Sequence, residues 1–176
     1  MKTRQLVITA LITALVCAIT MFPSVRVLGT EGYIHLGDAV IFAAVYLVGW
    51  LAIPAAAIGS ALADLLGGYV HYAPVTFVIK GGMALICFVL CGKRKNTGFF
   101  VLGSVLGECL MVAGYFLYAI VLYEFPSAVA SIPFNLIQAA SGIALGTVLY
   151  LALKRGKVRE KLMIDPPADR PPPTDN

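Results

Sequence analysis

Two opposite charges stand in apolar sequence on either side of a short turn: Asp64 and Lys80, within ALADLLGGYVHYAPVTFVIKG at residues 61–81. If both flanks are membrane helices joined near Val70 to Pro74, each charge lies about six positions from the turn, ~9 Å below one membrane face. An ion alone in hydrocarbon costs a few kcal/mol or more, so this acid and base are expected to form a structural ion pair, with Lys80 also placed to touch a ligand. The other polar side chains in apolar sequence offer recognition chemistry. Asn135 and Gln138, one helical turn apart, carry amides that suit either a heterocycle edge or hydrogen bonds between helices. Tyr115 and Tyr118 can stack on an aromatic ligand or pack at the membrane interface. Glu108 can receive a protonated pyridine or aminopyrimidine nitrogen. His35 and Asp38, also a turn apart, can gate a pocket, although capping a helix is the simpler task for Asp38. Thr76 adds a hydroxyl.

These groups read as a binding set, with no catalytic residue assigned. An intramembrane enzyme built from His35, Asp38, Asp64 and His71 is the rival, yet no HExxH, GxSxG or paired acidic metal motif occurs. Cys17, Cys87, Cys91 and Cys109 fall in apolar helical sequence; Cys87 and Cys91 share a helix face, but no CxxC or Cys/His cluster accompanies them. Buried thiols are the expectation, with neither a metal nor a cofactor.

The elements that must hold these side chains are membrane helices. With 60% hydrophobic and 12% charged residues, the chain lies far from the soluble average of roughly a quarter charged. Apolar runs predict spans at about Leu6–Phe22, Leu36–Leu51, Pro54–Tyr69, Pro74–Gly92, Phe99–Leu122 and Ala128–Leu153. The basic start and first apolar run could be a signal peptide, but no A-x-A-like site follows, so a retained helix is expected. Between the first two spans Pro23–His35 is too polar for lipid and reads as a long loop. The reading is an all-α membrane protein: a six-transmembrane-helix, substrate-binding domain over residues 1–161, then a disordered, proline-rich cytoplasmic tail over 162–176.

The net charge of +4 bears on topology and not on a nucleic-acid partner, because it lies in clusters flanking the spans. Lys2 and Arg4, Lys93–Lys95 and Lys154–Lys161 share one side only if there are six spans, which puts both termini in the cytoplasm. Asp38, Asp64, Thr76, Lys80, Tyr115, Tyr118, Asn135 and Gln138 then lie in the outer half, with Glu108 deeper and the inner half nearly all apolar. That asymmetry predicts a pocket open to the outside for a small polar ring compound. It speaks against a stand-alone channel or facilitator, which needs polar lining throughout. Ala10, Ala14 and Ala18 recur every four residues in the first span, a stripe that lets another helix approach, whether inside the bundle or from a partner.

Beyond these physical readings, the sequence resembles the S components of energy-coupling factor (ECF) transporters. The resemblance is carried by the alanine stripe, HLGDAVIFAA, the 61–81 hairpin, GECLMVAGYFLYAIVLYE and PFNLIQAASGIALG, and covers about Thr9 to Leu153. It is nearest the riboflavin-type subgroup that includes hydroxymethylpyrimidine and pyridoxine carriers. The resemblance implies a six-helix bundle of the bacterial plasma membrane that captures a vitamin or precursor from outside, beneath the loop between the first two helices. Pyridoxine or hydroxymethylpyrimidine is favoured and riboflavin is next. It further implies ATP-driven import by a transmembrane coupling subunit with two cytoplasmic ATPases, docked on Ala10, Ala14 and Ala18, while the S component itself is not an enzyme. No GxxxxGK[ST] occurs here.

Overall fold

Long apolar runs without internal turn signals fold as helices, because a helix satisfies its own backbone hydrogen bonds in lipid. The computed structural model describes residues 3–22, 24–26, 33–92 and 96–162. In chain order these form α1 (Thr3–Met21), β1 (Ser24–Arg26), β2 (Tyr33–His35), α2 (Gly37–Val48), a 3-10 turn (Gly49–Leu51), α3 (Ala52–Gly67), α4 (Ala73–Gly92), α5 (Thr97–Leu122), α6 (Phe125–Arg155) and the short α7 (Val158–Lys161). The basic residues 93–95 and the chain after Leu162 lie outside the described residues, as does most of the expected tail.

Five stretches are long and apolar enough to cross a membrane: Thr3–Met21, Gly37–Gly67, Ala73–Cys91, Thr97–Leu122 and Phe125–Arg155. The second is folded on itself. Gly49, at φ +62°, lets the chain reverse through the 3-10 turn. The neighbours of α2 and α3 show the reversal. Asp38 and Phe42 lie beside Gly142 and Gly146 of α6, and Gly49 lies beside Phe88 of α4. Farther on, Ala57 of α3 faces Gly81, back up α4. The sequence reading placed two separate helical segments here, and the structure has two, α2 of 12 residues and α3 of 16.

Small residues set the helix spacing. A Cβ on Gly59 would come within 2.6 Å of the Thr13 carbonyl, so α1 and α3 meet backbone to backbone. Gly103 and Gly107 lie against Cys87 and Met83 of α4, and Gly146 lies against Phe42. Phe42, Met83, Phe100, Met111 and Val16 fill the buried centre, while Leu11, Val78, Val121, Ile137 and Val148 face outward, as expected for a lipid-facing shell.

Two features differ from the sequence reading. The 23–35 segment contains an antiparallel pair, with Ser24 opposite His35 and Arg26 opposite Tyr33; pairing satisfies backbone groups that a bare loop would leave open. Leu162, assigned above to the tail, is half-buried against the core after α7.

Candidate functional site

The polar residues gather at the end of the bundle that carries the β-hairpin. His35 ends β2, Asp38 is in the first turn of α2, Thr76 and Lys80 belong to the first two turns of α4, Glu108 and Tyr115 to α5, and Gln138 to α6. All are buried except Tyr115, which is half-buried.

Asp38 is the hub. Its Oδ1 lies 2.5 Å from Lys80 Nζ, and its Oδ2 accepts from Gln138 Nε2 at 2.8 Å. Gln138 Oε1 in turn accepts the His35 backbone N–H at 3.3 Å, which fastens the β-hairpin to α6. The Gly37 N–H donates to His35 Nδ1 at 3.1 Å, leaving the proton of a neutral imidazole on Nε2. Burial pushes the His35 ring down to about 4, against the opposing pull of Asp38, so it is neutral at pH 7. Lys80 Nζ also stands 5.6 Å from the Tyr115 ring centre, and the Tyr115 hydroxyl meets Thr76 Oγ1 at 3.0 Å.

Three sequence expectations are corrected. The acid that pairs with Lys80 is Asp38, not Asp64. With Ala57 facing Gly81 across antiparallel helices, the α3–α4 register sets Asp64 opposite residue 74, so Lys80 lies roughly 9 Å farther along the axis. Asp64 is instead buried near the end of α3, where its carbonyl accepts the Gly68 and Tyr69 N–H groups. Nor does Asp38 cap α2: the helix begins at Gly37, its N-cap Leu36 makes no side-chain bond, and the Asp38 carboxylate turns inward to Lys80. Glu108 was expected deeper than the rest, yet its carboxyl reaches the level of Asp38; a Cβ on Gly142 would collide with Glu108 Oε1 and sit 3.0 Å from Asp38 Cβ.

Other candidates form the rim. Tyr118 donates to the His71 carbonyl at 2.5 Å, tying α5 to the α3–α4 turn. The Tyr72 ring, which the sequence reading passed over, lies 6.4 Å from Tyr115 and 5.4 Å from Tyr118. Asn135 is half-buried, a turn from Gln138. Thr20, also passed over, is buried with its hydroxyl against Gly37; a hydroxyl at the end of an apolar run gives no signal in sequence. Like the Thr20 hydroxyl, the larger and more acidic Glu108 carboxyl is buried without a hydrogen-bond partner among the described residues, at either oxygen. Those residues contain no group of three or more His, Cys, Asp or Glu placed to hold a metal.

Away from this cluster, Ala10, Ala14 and Ala18 are exposed on α1, whose buried face is Ile12, Val16 and Thr20. With Thr13, Cys17 and Leu62 they line an open apolar groove of about 640 Å³.

Comparison with known proteins adds an independent finding. A family model described as "ECF-type riboflavin transporter, S component" matches residues 1–155. The "Thiamine precursor transporter HmpT" of Lactococcus lactis subsp. cremoris (strain MG1363) is 30% identical over 156 residues, covering 86% of this chain and 89% of that protein. An "Uncharacterized protein in gap 3'region" of Pyrococcus woesei is 39% identical over 137 residues, covering 77% of this chain and 92% of that protein.

Proposed function

From the premise that the chain belongs to the family of S components of ECF-type riboflavin transporters, we propose that it captures a small vitamin precursor at the hairpin end of the bundle. A coupling subunit and its two ATPases then import that ligand with ATP. The family and the HmpT relative are transporters, and the chain is a multi-pass membrane protein of the plasma membrane. Within the class, hydroxymethylpyrimidine or pyridoxine is the preferred ligand, and the relative named as a thiamine precursor transporter supports the former, since thiamine contains a pyrimidine ring. The observation that carries this reading is the convergence of Asp38, Lys80, Gln138, Glu108 and Tyr115 from four helices around the buried Asp38–Lys80 pair, roofed by His35. Convergent polar and aromatic groups in an apolar bundle are the usual make-up of a small-molecule site. Thr76, Tyr118 and Asn135 complete the proposed wall.

We place this site on the outer face and both termini in the cytoplasm, with six passes. The reversal at Gly49 supports six, since it divides Gly37–Gly67 into a descending and an ascending arm. The cations Lys154, Arg155, Lys157, Arg159 and Lys161 support the orientation, because they cluster at the end opposite the β-hairpin. In this reading Ala10, Ala14 and Ala18 dock the coupling subunit. Their exposure over an apolar groove supports it, because small residues are what close approach between helices in lipid requires.

The test is ligand retention. Native mass spectrometry of protein purified in mild detergent should find about one small vitamin-like molecule per chain. Thermal-shift screening with hydroxymethylpyrimidine, pyridoxine, thiamine, riboflavin and pantothenate should then name its class. Failure of every compound to stabilise the protein would overturn the proposal.

A further inference from the structure

The polar groups of the site divide into two sets. Asp38, Lys80 and Gln138 satisfy one another: the carboxylate receives an ammonium and an amide, and the amide oxygen receives the His35 backbone N–H. A ligand that recruited these groups would first have to break bonds already made, and breaking a buried charged pair is costly. Glu108 is different. It is 1% exposed, and neither carboxyl oxygen accepts a hydrogen bond from any described residue. The positive charge of Lys80 is held by Asp38 at 2.5 Å, so the cluster contains one more acid than base. A buried carboxyl without donors is expensive unless a partner arrives. Gly142 leaves bare backbone on the α6 side of that carboxyl, where any Cβ would collide with Oε1.

We propose that Glu108 is the specificity-determining residue of the site. Its two oxygens read a ring nitrogen flanked by an exocyclic amine, while the Asp38–Lys80–Gln138 net braces the wall and does not read the ligand. This rests on the substrate-binding role proposed above and narrows its ligand class. An aminopyrimidine edge meets both oxygens: the amine N–H donates to one, and a single proton is shared between the ring nitrogen and the other. A pyridine whose nitrogen has only carbon substituents beside it meets one oxygen. The imide edge of a flavin, with carbonyls flanking N–H, turns two acceptors toward the acid.

The experiment is titration calorimetry of the full-length protein in nanodiscs, wild type and Glu108→Gln. Three probes are used: 4-amino-5-hydroxymethyl-2-methylpyrimidine, its 4-oxo counterpart and riboflavin. The wild type should prefer the amino compound over the oxo compound by about 10-fold or more, and Glu108→Gln should bind the amino compound about 10- to 100-fold more weakly. In the variant the preference between the two pyrimidines should narrow, which a structural defect alone would not produce. Its melting temperature should match or exceed that of the wild type, since a buried acid is replaced by a neutral isostere. Unchanged affinity in Glu108→Gln, or a wild type that binds the oxo compound or riboflavin as well as the amine, overturns this inference and leaves the transport role standing. A wild type that binds none of these probes, nor any compound of the wider thermal-shift screen, overturns both.

Discussion

Lys80 is the residue whose surroundings say most about the fold, because a fully buried ammonium survives only with a partner. Removing that partner or the cation alone strands the other charge. Lys80→Met should therefore cost about 3–5 kcal/mol, read as a fall in melting temperature, and Asp38→Asn added to it should recover most of the loss. A double variant as unstable as the single would contradict the pairing. His35 supplies a pH signature. Its folded value near 4 lies below the ordinary 6.5, so the unfolded chain binds the extra proton first. The stability that His35 contributes is full above pH 6.5 and declines as pH falls toward 4. Melting curves should show that decline, and His35→Asn, which keeps an acceptor for the Gly37 N–H, should flatten it. At this scale the sequence was informative about residue types: Asp38, Lys80, Gln138 and Glu108 all stand out as polar groups in apolar runs. It was uninformative about partners, because a count of residues from the turn cannot supply the α3–α4 register that lifts Asp64 away from Lys80.

At the scale of elements, helices were legible because apolar runs of membrane length have few other ways to fold. The strands Ser24–Arg26 and Tyr33–His35 were not, since three residues are too few for alternation to show. The division of Gly37–Gly67 was half legible. Pro54 marked a new segment, but the reversal belongs to Gly49, whose positive φ no side-chain pattern announces. The alanine stripe was ambiguous in sequence between packing inside the bundle and a free face, and its exposure on α1 answers that point. Ala14→Trp should accordingly leave ligand affinity and melting temperature near wild type, while abolishing co-purification with the coupling subunit and cellular uptake. Uptake at the wild-type level would show that docking lies elsewhere.

For the molecule as a whole, the sequence predicted an apolar bundle with its polar side chains massed toward one end, and the structure has that asymmetry, because hydrocarbon tolerates buried polar groups only where they meet each other. Single cysteines in a background with the native cysteines replaced should report the proposed topology. Cysteines at Val70 and Glu124 should react with an impermeant maleimide on intact cells, whereas cysteines at Asn96 and Arg155 should react only after the membrane is opened. Labelling of Asn96 on intact cells would exclude six passes with cytoplasmic termini.

The reversal at Gly49 also has a consequence for the surrounding lipid. The two arms it joins rise only ~18 and ~24 Å, whereas a bilayer's hydrocarbon core is ~30 Å thick. On α3 the outward side chains Ile58, Leu62, Leu65 and Leu66 meet that lipid directly, and Trp50, half exposed at the turn, suits an interfacial anchor. In the proposed six-pass topology this shortfall is met by thinning of the bilayer, by snorkelling of flanking residues or by association along the flank, at a cost of a fraction of a kcal/mol for each ångström of mismatch. Leu62 also lines the groove beside the three alanines. In that topology any helix that covers the groove also shields the short flank from lipid, so hydrophobic mismatch favours association there before any specific contact forms.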